Sequence, residues 1–338
     1  MYATKKSDLK SFCCDSKSVC RIEENSTNAY LANDREVEDF LIGVEPKYNA
    51  SIVKLRDRNI DQECIAAIGG FAAYVSSCAP AAMRMHSTPL QNLVASEAAI
   101  LDRQGLLPRA PAVLGNKTLT ELLADGTVRG DIDSKYPQAV GISTIRNRTA
   151  VWGNSRWEVL RNDDPNNPFF TSDYPVALEA RDSRLANWII PLAPDLAIRI
   201  IPDITLARGV PDPSFGRFSW QERVPRRFEL LEINRLIVRS AEDMVFYSLD
   251  LAWIPKFIAK NRNYRIEAVT QRIPSGVGFF NIATQRIVTM HGHDWCGRRI
   301  IFERNVVRAT ECWHTRLASL LAPNFSLMQS KFPLFLIR

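Results

Sequence analysis

A chain of 338 residues with 46% hydrophobic and 24% charged residues has the composition of an ordinary globular protein, which excludes a disordered or fibrous chain. Seven cysteines without regular spacing exclude a disulfide framework, so a cytoplasmic protein with reduced thiols is expected. The formal net charge is +6, and the basic residues are 32 arginines against 11 lysines. That bias suits bidentate pairing with phosphate or carboxylate, and a GC-rich genome accounts for it equally well.

Lys5 and Lys6 are followed by no apolar run, so no secretory leader is expected. The first forty residues read as irregular, with one short strand at Cys20-Arg21-Ile22. Val37 to Val44 reads as a short acidic helix, with Val37, Phe40 and Leu41 on one face. Asp61 is placed to cap a helix that runs to about Arg84. Its stretch from Cys64 to Met83 carries no charge and has the length of a membrane span. Gly69, Gly70, Ser76, Ser77 and Pro80 dilute the apolar signal, and Ile68, Phe71, Ala72 and Val75 follow the i, i+3, i+4, i+7 spacing. A buried core helix is expected, with no membrane partner. The glycine pair would let a neighbouring element approach closely, and Pro80 would end or kink the helix. Leu90 to Gln104 reads as a second helix stopped by Gly105, and Leu119 to Leu123 as a third, capped by Thr118 and stopped by Gly126.

From about Gly141 strands and turns are expected to dominate. Arg156 to Leu160 alternates as a half-buried strand, and Asn162 to Pro168 is a dense turn signal. Phe169 and Phe170 would start a strand returning antiparallel. Asn187 to Pro194 and the alternating Leu196, Ile198 and Ile200 read as two more. Pro211 to Phe218 reads as a loop, Phe228 to Ala241 as a helix and Met244 to Ser248 as a strand. The last ninety residues read as short strands and turns, with a helix near Arg316 to Leu321. The expected fold class is α+β: a mainly helical part over 1–140, packed on a mainly antiparallel sheet over 141–338, in one compact unit.

Three groups of residues are candidates for chemistry. Thr171, Ser172 and Asp173 put two hydroxyls and a carboxylate where a strand breaks into a turn. They would bind a metal, orient a water or accept a proton. Equally, they would form an Asx- or ST-turn in which Asp173 accepts backbone N–H bonds. His291, His293, Cys296, Cys312 and His314 are zinc-ligand types at short intervals, although the spacing is not that of a finger or ribbon. Asp131, Asp133, Asp163, Asp164 and Asp173 would hold Mg²⁺ if they met in space, and otherwise read as solvated turn residues. No P-loop, Rossmann fingerprint, G-x-S-x-G elbow or H-E-x-x-H helix is present, which argues against nucleotide-driven motors, dehydrogenases, common esterases and zinc proteases.

Between Lys256 and Thr310 there are ten Lys/Arg and three Asp/Glu, a local charge of +7. Lys256, Lys260, Arg262, Arg265, Arg272, Arg298 and Arg299 are interleaved with Phe257, Tyr264, Phe279, Phe280, Trp295 and Phe302. Basic side chains among aromatics suit a nucleic-acid backbone and its bases. A strand-rich region with core aromatics and solvated arginines gives the same pattern.

The order of Trp157, Pro168-Phe169-Phe170-Thr171-Ser172-Asp173-Tyr174-Pro175-Val176, Pro191-Leu192-Ala193-Pro194, Asn234 and Tyr247-Ser248 resembles a bacterial family catalogued as domain of unknown function 4238. The resemblance runs from about Leu9 to Ser248 and implies a fold and a bacterial origin, not a reaction. Family members open with paired histidines, a proline and a Tyr-Leu-Arg-x-Phe run; here Leu9-Lys10-Ser11-Phe12 corresponds, without the histidines or proline. Where the family's core helix carries an arginine two residues before a proline, this chain has Cys78. Two functions are therefore expected: a nucleic-acid-binding protein, with a nuclease-like phage-defence or toxin effector as its fullest form, or a non-catalytic protein that acts through a protein partner or as a homo-oligomer.

Overall fold

The computed structural model describes residues 1–15, 19, 27–129, 132–180, 186–203, 212–275 and 278–290; for 272, 274, 275 and 278–281 only the backbone is described. The fold is α+β, with mainly antiparallel sheets. The described residues fall into two compact units, one from 1–84, 135–267 and 285–290, the other from 85–134 and 268–284.

In the larger unit, strands β1 (Tyr2–Lys5) and β2 (Ser11–Cys13) occupy the stretch expected to be irregular. They are too short to show alternation. What makes them strands is pairing at a distance, since β1 lies antiparallel to β2 on one side and to a strand near residue 245 on the other. The expected strand at Cys20-Arg21-Ile22 lies outside the described residues.

Helix α1 (Glu36–Arg56) is far longer than the expected Val37–Val44, because it runs through Pro46. Pro46 sits on the exposed side, where the carbonyl that loses its N–H partner can meet water. Helix α2 (Gln62–Cys78) starts as expected, with Asp61 accepting from the Cys64 N–H at 2.8 Å. It stops before Pro80, where α3 (Pro80–Arg103) begins. Among the described residues no single helix is long and apolar enough to cross a membrane. The expected close approach falls at Gly70: a Cβ there would sit 3.2 Å from Phe40 and 3.3 Å from Val44, so the glycine lets α1 lie on α2.

Helix α4 (Leu119–Ala124) belongs to the smaller unit and begins with a full capping box between Thr118 and Glu121. In the same unit Asp102 accepts from both the N–H and the hydroxyl of Thr120, tying the end of α3 to the start of α4.

Helix α5 (Lys135–Ser143) closes the part expected to be helical, and the residues from Gly141 that were expected to begin the strand-rich part instead end α5 and form α6 (Ile145–Gly153). The five-stranded sheet follows: β3 (Arg156–Arg161), β5 (Ala177–Ala180), β6 (Ala186–Ala193), β7 (Leu196–Ile201) and β8 (Ser219–Arg223), in the order β5-β6-β7-β3-β8. All pairs are antiparallel except β3 with β8. Period-two alternation divides β3. Trp157 faces the first helical layer, with its indole N–H on the Trp152 carbonyl and its ring near Gly69. Glu158 and Leu160 face the opposite way, toward α7 (Arg227–Ser240). Phe169 and Phe170, expected to start a strand returning against β3, instead precede β4 (Thr171–Ser172), which pairs with β9 (Met244–Tyr247) in the four-stranded sheet β2-β1-β9-β4. Helix α8 (Trp253–Asn261) follows, and β10 (Tyr264–Ser275) pairs with β11 (Gly278–Thr289).

Ile233, Leu236, Ile237 and Ser240 of α7 are all buried, as their spacing requires. With Leu160, Phe169, Phe170, Ile189, Val245, Ile254 and Ile258 they belong to one apolar core. That core holds α8 in place and so determines which of its residues reach the surface.

Candidate nucleic-acid interface

The Thr171–Asp173 corner is built from backbone hydrogen bonds. Asp173 Oδ1 accepts from the N–H of Glu242 at 2.8 Å, and Oδ2 from those of Asp243 and Met244 at 2.7 and 2.8 Å. The Asp173 N–H donates to the Met244 carbonyl at 3.0 Å. Asp173 therefore serves the turn between α7 and β9, not its own turn. Burial pushes its carboxyl above the usual carboxylate range, against the pull of those three donors and of Lys6. Ser172 makes the local turn: its hydroxyl donates to the Tyr174 carbonyl at 2.7 Å and accepts from the Tyr174 N–H at 3.2 Å. Thr171 pairs with Phe246 across β4 and β9.

The neighbouring residues of the same sequence signature are spatial neighbours too. Asn234, fully buried on α7, accepts from the Phe170 N–H at 2.9 Å and donates to the Pro168 carbonyl at 2.9 Å. The Tyr247 hydroxyl meets the Thr4 hydroxyl at 2.9 Å, and its ring lies 6.0 Å from that of Phe170. Beside the corner, the buried Lys6 donates to the carbonyls of Ala241 and Tyr264, and desolvation lowers its pKa to about 8. Near Cys78 a guanidinium arrives from another element. Arg148 of α6 donates to the hydroxyls of Ser76 at 2.7 Å and Ser77 at 3.1 Å, bringing positive charge to the C-terminal turn of α2, which has no basic residue of its own.

On the α7 face of the large sheet, Arg199 bridges Glu158, Glu179 and Glu229, and Arg223 bridges Glu158 and Glu229. Burial opposes the charge on Glu158, yet the two guanidiniums hold its carboxyl below the usual range. These acids are neutralised by their partners. Together they tie the start of α7 to β3, β5, β7 and β8.

A cleft of about 470 Å³ opens between the Asn166-Asn167 turn, α7 and α8. Its walls are Asn166, Asn167, Arg227, Leu231, Trp253, Lys256, Phe257 and Lys260. Four of these, Trp253, Lys256, Phe257 and Lys260, are at i, i+3, i+4 and i+7 of α8, so one helical stripe carries alternating aromatic and cationic side chains into the cleft. The adjoining stripe, Ile254, Ile258 and Asn261, is buried. Trp253 stacks on Phe170, with ring centroids 5.7 Å apart and planes 25° apart, and Phe257 stands edge-on to both. Arg227, Lys256 and Lys260 are exposed and make no ion pair with a described residue, whereas Arg56, Arg58, Arg84, Arg161, Arg199 and Arg223 all do. No carboxylate is among the lining residues. The turn forming the third wall is self-supporting. Asp164 accepts from the Asn166 N–H and the Asn167 side chain, and Asn162 donates to the Asn167 carbonyl.

Of the basic residues singled out in the sequence, Lys256 and Lys260 reach this cleft. Arg262 contacts the Ser7 carbonyl and Arg265 pairs with Glu267. The Arg272 side chain, Arg298 and Arg299 lie outside the described residues, as do His291, His293, Cys296, Cys312, His314, Asp131 and the helix expected near Arg316. Among the described residues no group of three His, Cys, Asp or Glu is placed to hold a metal ion. Asp164 serves its own turn, and Asp173 serves the α7–β9 turn.

Sequence reading placed α8 among strands and turns, and it missed Arg227 and Trp253 as site residues. The signal was present: Ile254, Ile258 and Asn261 at i, i+4 and i+7, with Pro255 in the first turn where a helix tolerates it. No protein-family model, curated protein or solved structure matches this chain.

Proposed function

We propose that this protein binds nucleic acid through the α7–α8 cleft. The observation that carries the reading is the α8 stripe, in which Lys256 and Lys260 flank Phe257 beside Trp253 with Arg227 opposite, and none of the three cations is neutralised by a described carboxylate. Unpaired cations attract phosphate oxygens, and aromatic rings among them accept bases without regard to sequence. The proposal is limited to binding, since no carboxylate is among the described residues that line the cleft. The alternative, a surface for a protein partner, draws on Val224 and Phe228, which are 57% and 75% exposed.

Fluorescence anisotropy with mixed-sequence single strands of RNA and DNA, titrated with salt, tests the reading. Affinity is expected to fall linearly on a log–log plot, by about 0.7 in slope per phosphate contacted. Replacing Lys256 and Lys260 together by alanine should weaken binding about tenfold and flatten the slope by about 1.4. A flat salt response, or no binding at low salt, overturns the proposal.

A further inference from the structure

We infer that the occupant of the cleft is one unpaired base with its flanking phosphates, so that the ligand class is single-stranded and a duplex is rejected. The inference rests on the nucleic-acid reading above and adds what the cleft does with the base.

Three features lead to it. The first is size. A cleft of about 470 Å³ lies within the range of small-ligand pockets, about 300–1,000 Å³, whereas a duplex presents its bases stacked and paired inside a rod far wider than the cleft. The second is the ring arrangement. Phe170 and Trp253 already form a stack in which Phe170 is fully buried and Trp253 reaches the cleft wall. A base laid against Trp253 extends that stack, with Phe257 at its edge. The anchor is rigid, because Phe170 is held at its backbone by Asn234. The third is the spacing of charge around the rings. Lys256 and Lys260 are one helical turn apart on the stripe that carries Trp253 and Phe257, and Arg227 faces them from α7. A nucleotide has the same layout, a flat ring with a phosphate on either side. Asn166, exposed on the rim, brings an amide donor and a carbonyl acceptor to the base edge.

The test uses the full chain; the base-bearing and abasic single strands carry equal charge, so that the phosphate contribution cancels between them, and the duplex, with twice the phosphates, is compared per phosphate. A labelled single-stranded octamer is displaced by an unlabelled octamer, by the same strand with abasic sites throughout, and by a duplex of the same sequence. The base-bearing single strand should compete about tenfold or more better than the abasic strand, and better than the duplex. A Trp253→Leu variant should lower the ratio of base-bearing to abasic affinity, and Trp253→Phe should keep most of it. Equal competition by the abasic strand, or stronger competition by the duplex, overturns the inference while leaving the nucleic-acid reading in place. If no strand binds, that reading falls and this inference with it. The wild-type ligand series decides the matter alone, so a Trp253 variant that fails to fold does not remove the test.

Discussion

The Thr171–Asp173 corner and the α7–α8 cleft are made from similar materials, polar side chains set against Phe170 and its neighbours, yet they use them in opposite ways. At the corner both oxygens of Asp173 are taken by three backbone N–H groups, and the Ser172 hydroxyl is taken by Tyr174. In the cleft Arg227, Lys256 and Lys260 have no described carboxylate, and the ring of Trp253 is covered on one side by Phe170 while it lines open space. A group whose bonding capacity is filled by the backbone holds the fold together, and one whose capacity is left over is available to a ligand. The two regions are joined through Phe170, whose backbone is clamped by Asn234 and whose ring supports Trp253.

That contrast can be broken most decisively at Asp173. Asp173→Ala leaves the N–H groups of Glu242, Asp243 and Met244 without their acceptor, and a loss of about 3 kcal/mol or more in urea unfolding is expected. The folded fraction should still bind nucleic acid with wild-type affinity. A variant of unchanged stability that no longer binds would make the corner a site and reverse the comparison.

Lys6 gives a second, smaller effect with a defined direction. Burial lowers its pKa from 10.5 to about 8 in the folded chain. Between those values the unfolded chain keeps the proton that the folded chain has released, so the unfolded state binds more protons and stability rises with pH. Relative to Lys6→Met, the wild type should gain about 2 kcal/mol between about pH 8 and about pH 9.5. Denaturant midpoints for both proteins across that window measure it. A constant difference would mean that Lys6 keeps its proton and is held by its two carbonyl partners alone.

The smallest stability effect is expected in the cleft. Replacing Lys256 and Lys260 by alanine should change unfolding free energy by no more than about 0.5 kcal/mol, since both are exposed and pair with no described carboxylate, while the salt-dependent affinity falls. A large loss of stability would show that these lysines support α8, and the distinction between the two regions would weaken.

How much was legible beforehand varied with the range of the forces involved. The Asp61 cap, the Thr118 capping box, the close approach at Gly70 and the buried stripe of α7 are local patterns, and each is where its residues place it. Strands β1 and β2 were not legible, because segments of three or four residues show no alternation, and β1, on which β2 pairs, is held by a partner some 240 residues away. The helix expected over Val37 to Val44 continues through Pro46 to Arg56, because the proline is on the solvent side and packing of α1 on α2 outweighs one lost hydrogen bond. At the site, the basic and aromatic residues around Lys256 were visible as a composition. Their sorting was not: Arg265 is neutralised by Glu267, whereas Lys256 and Lys260 meet no described carboxylate.

The sequence alone settled the α+β class, the main caps and stops, and the presence of cations and rings near residue 256, since these follow from periodicity and residue type over a few turns of chain. The tertiary structure decided which cations stand beside which rings, and that Asp173 serves the α7–β9 turn. Both depend on segments 60 to 90 residues apart meeting across one core, where a carboxylate or a backbone N–H either arrives within hydrogen-bonding distance or does not.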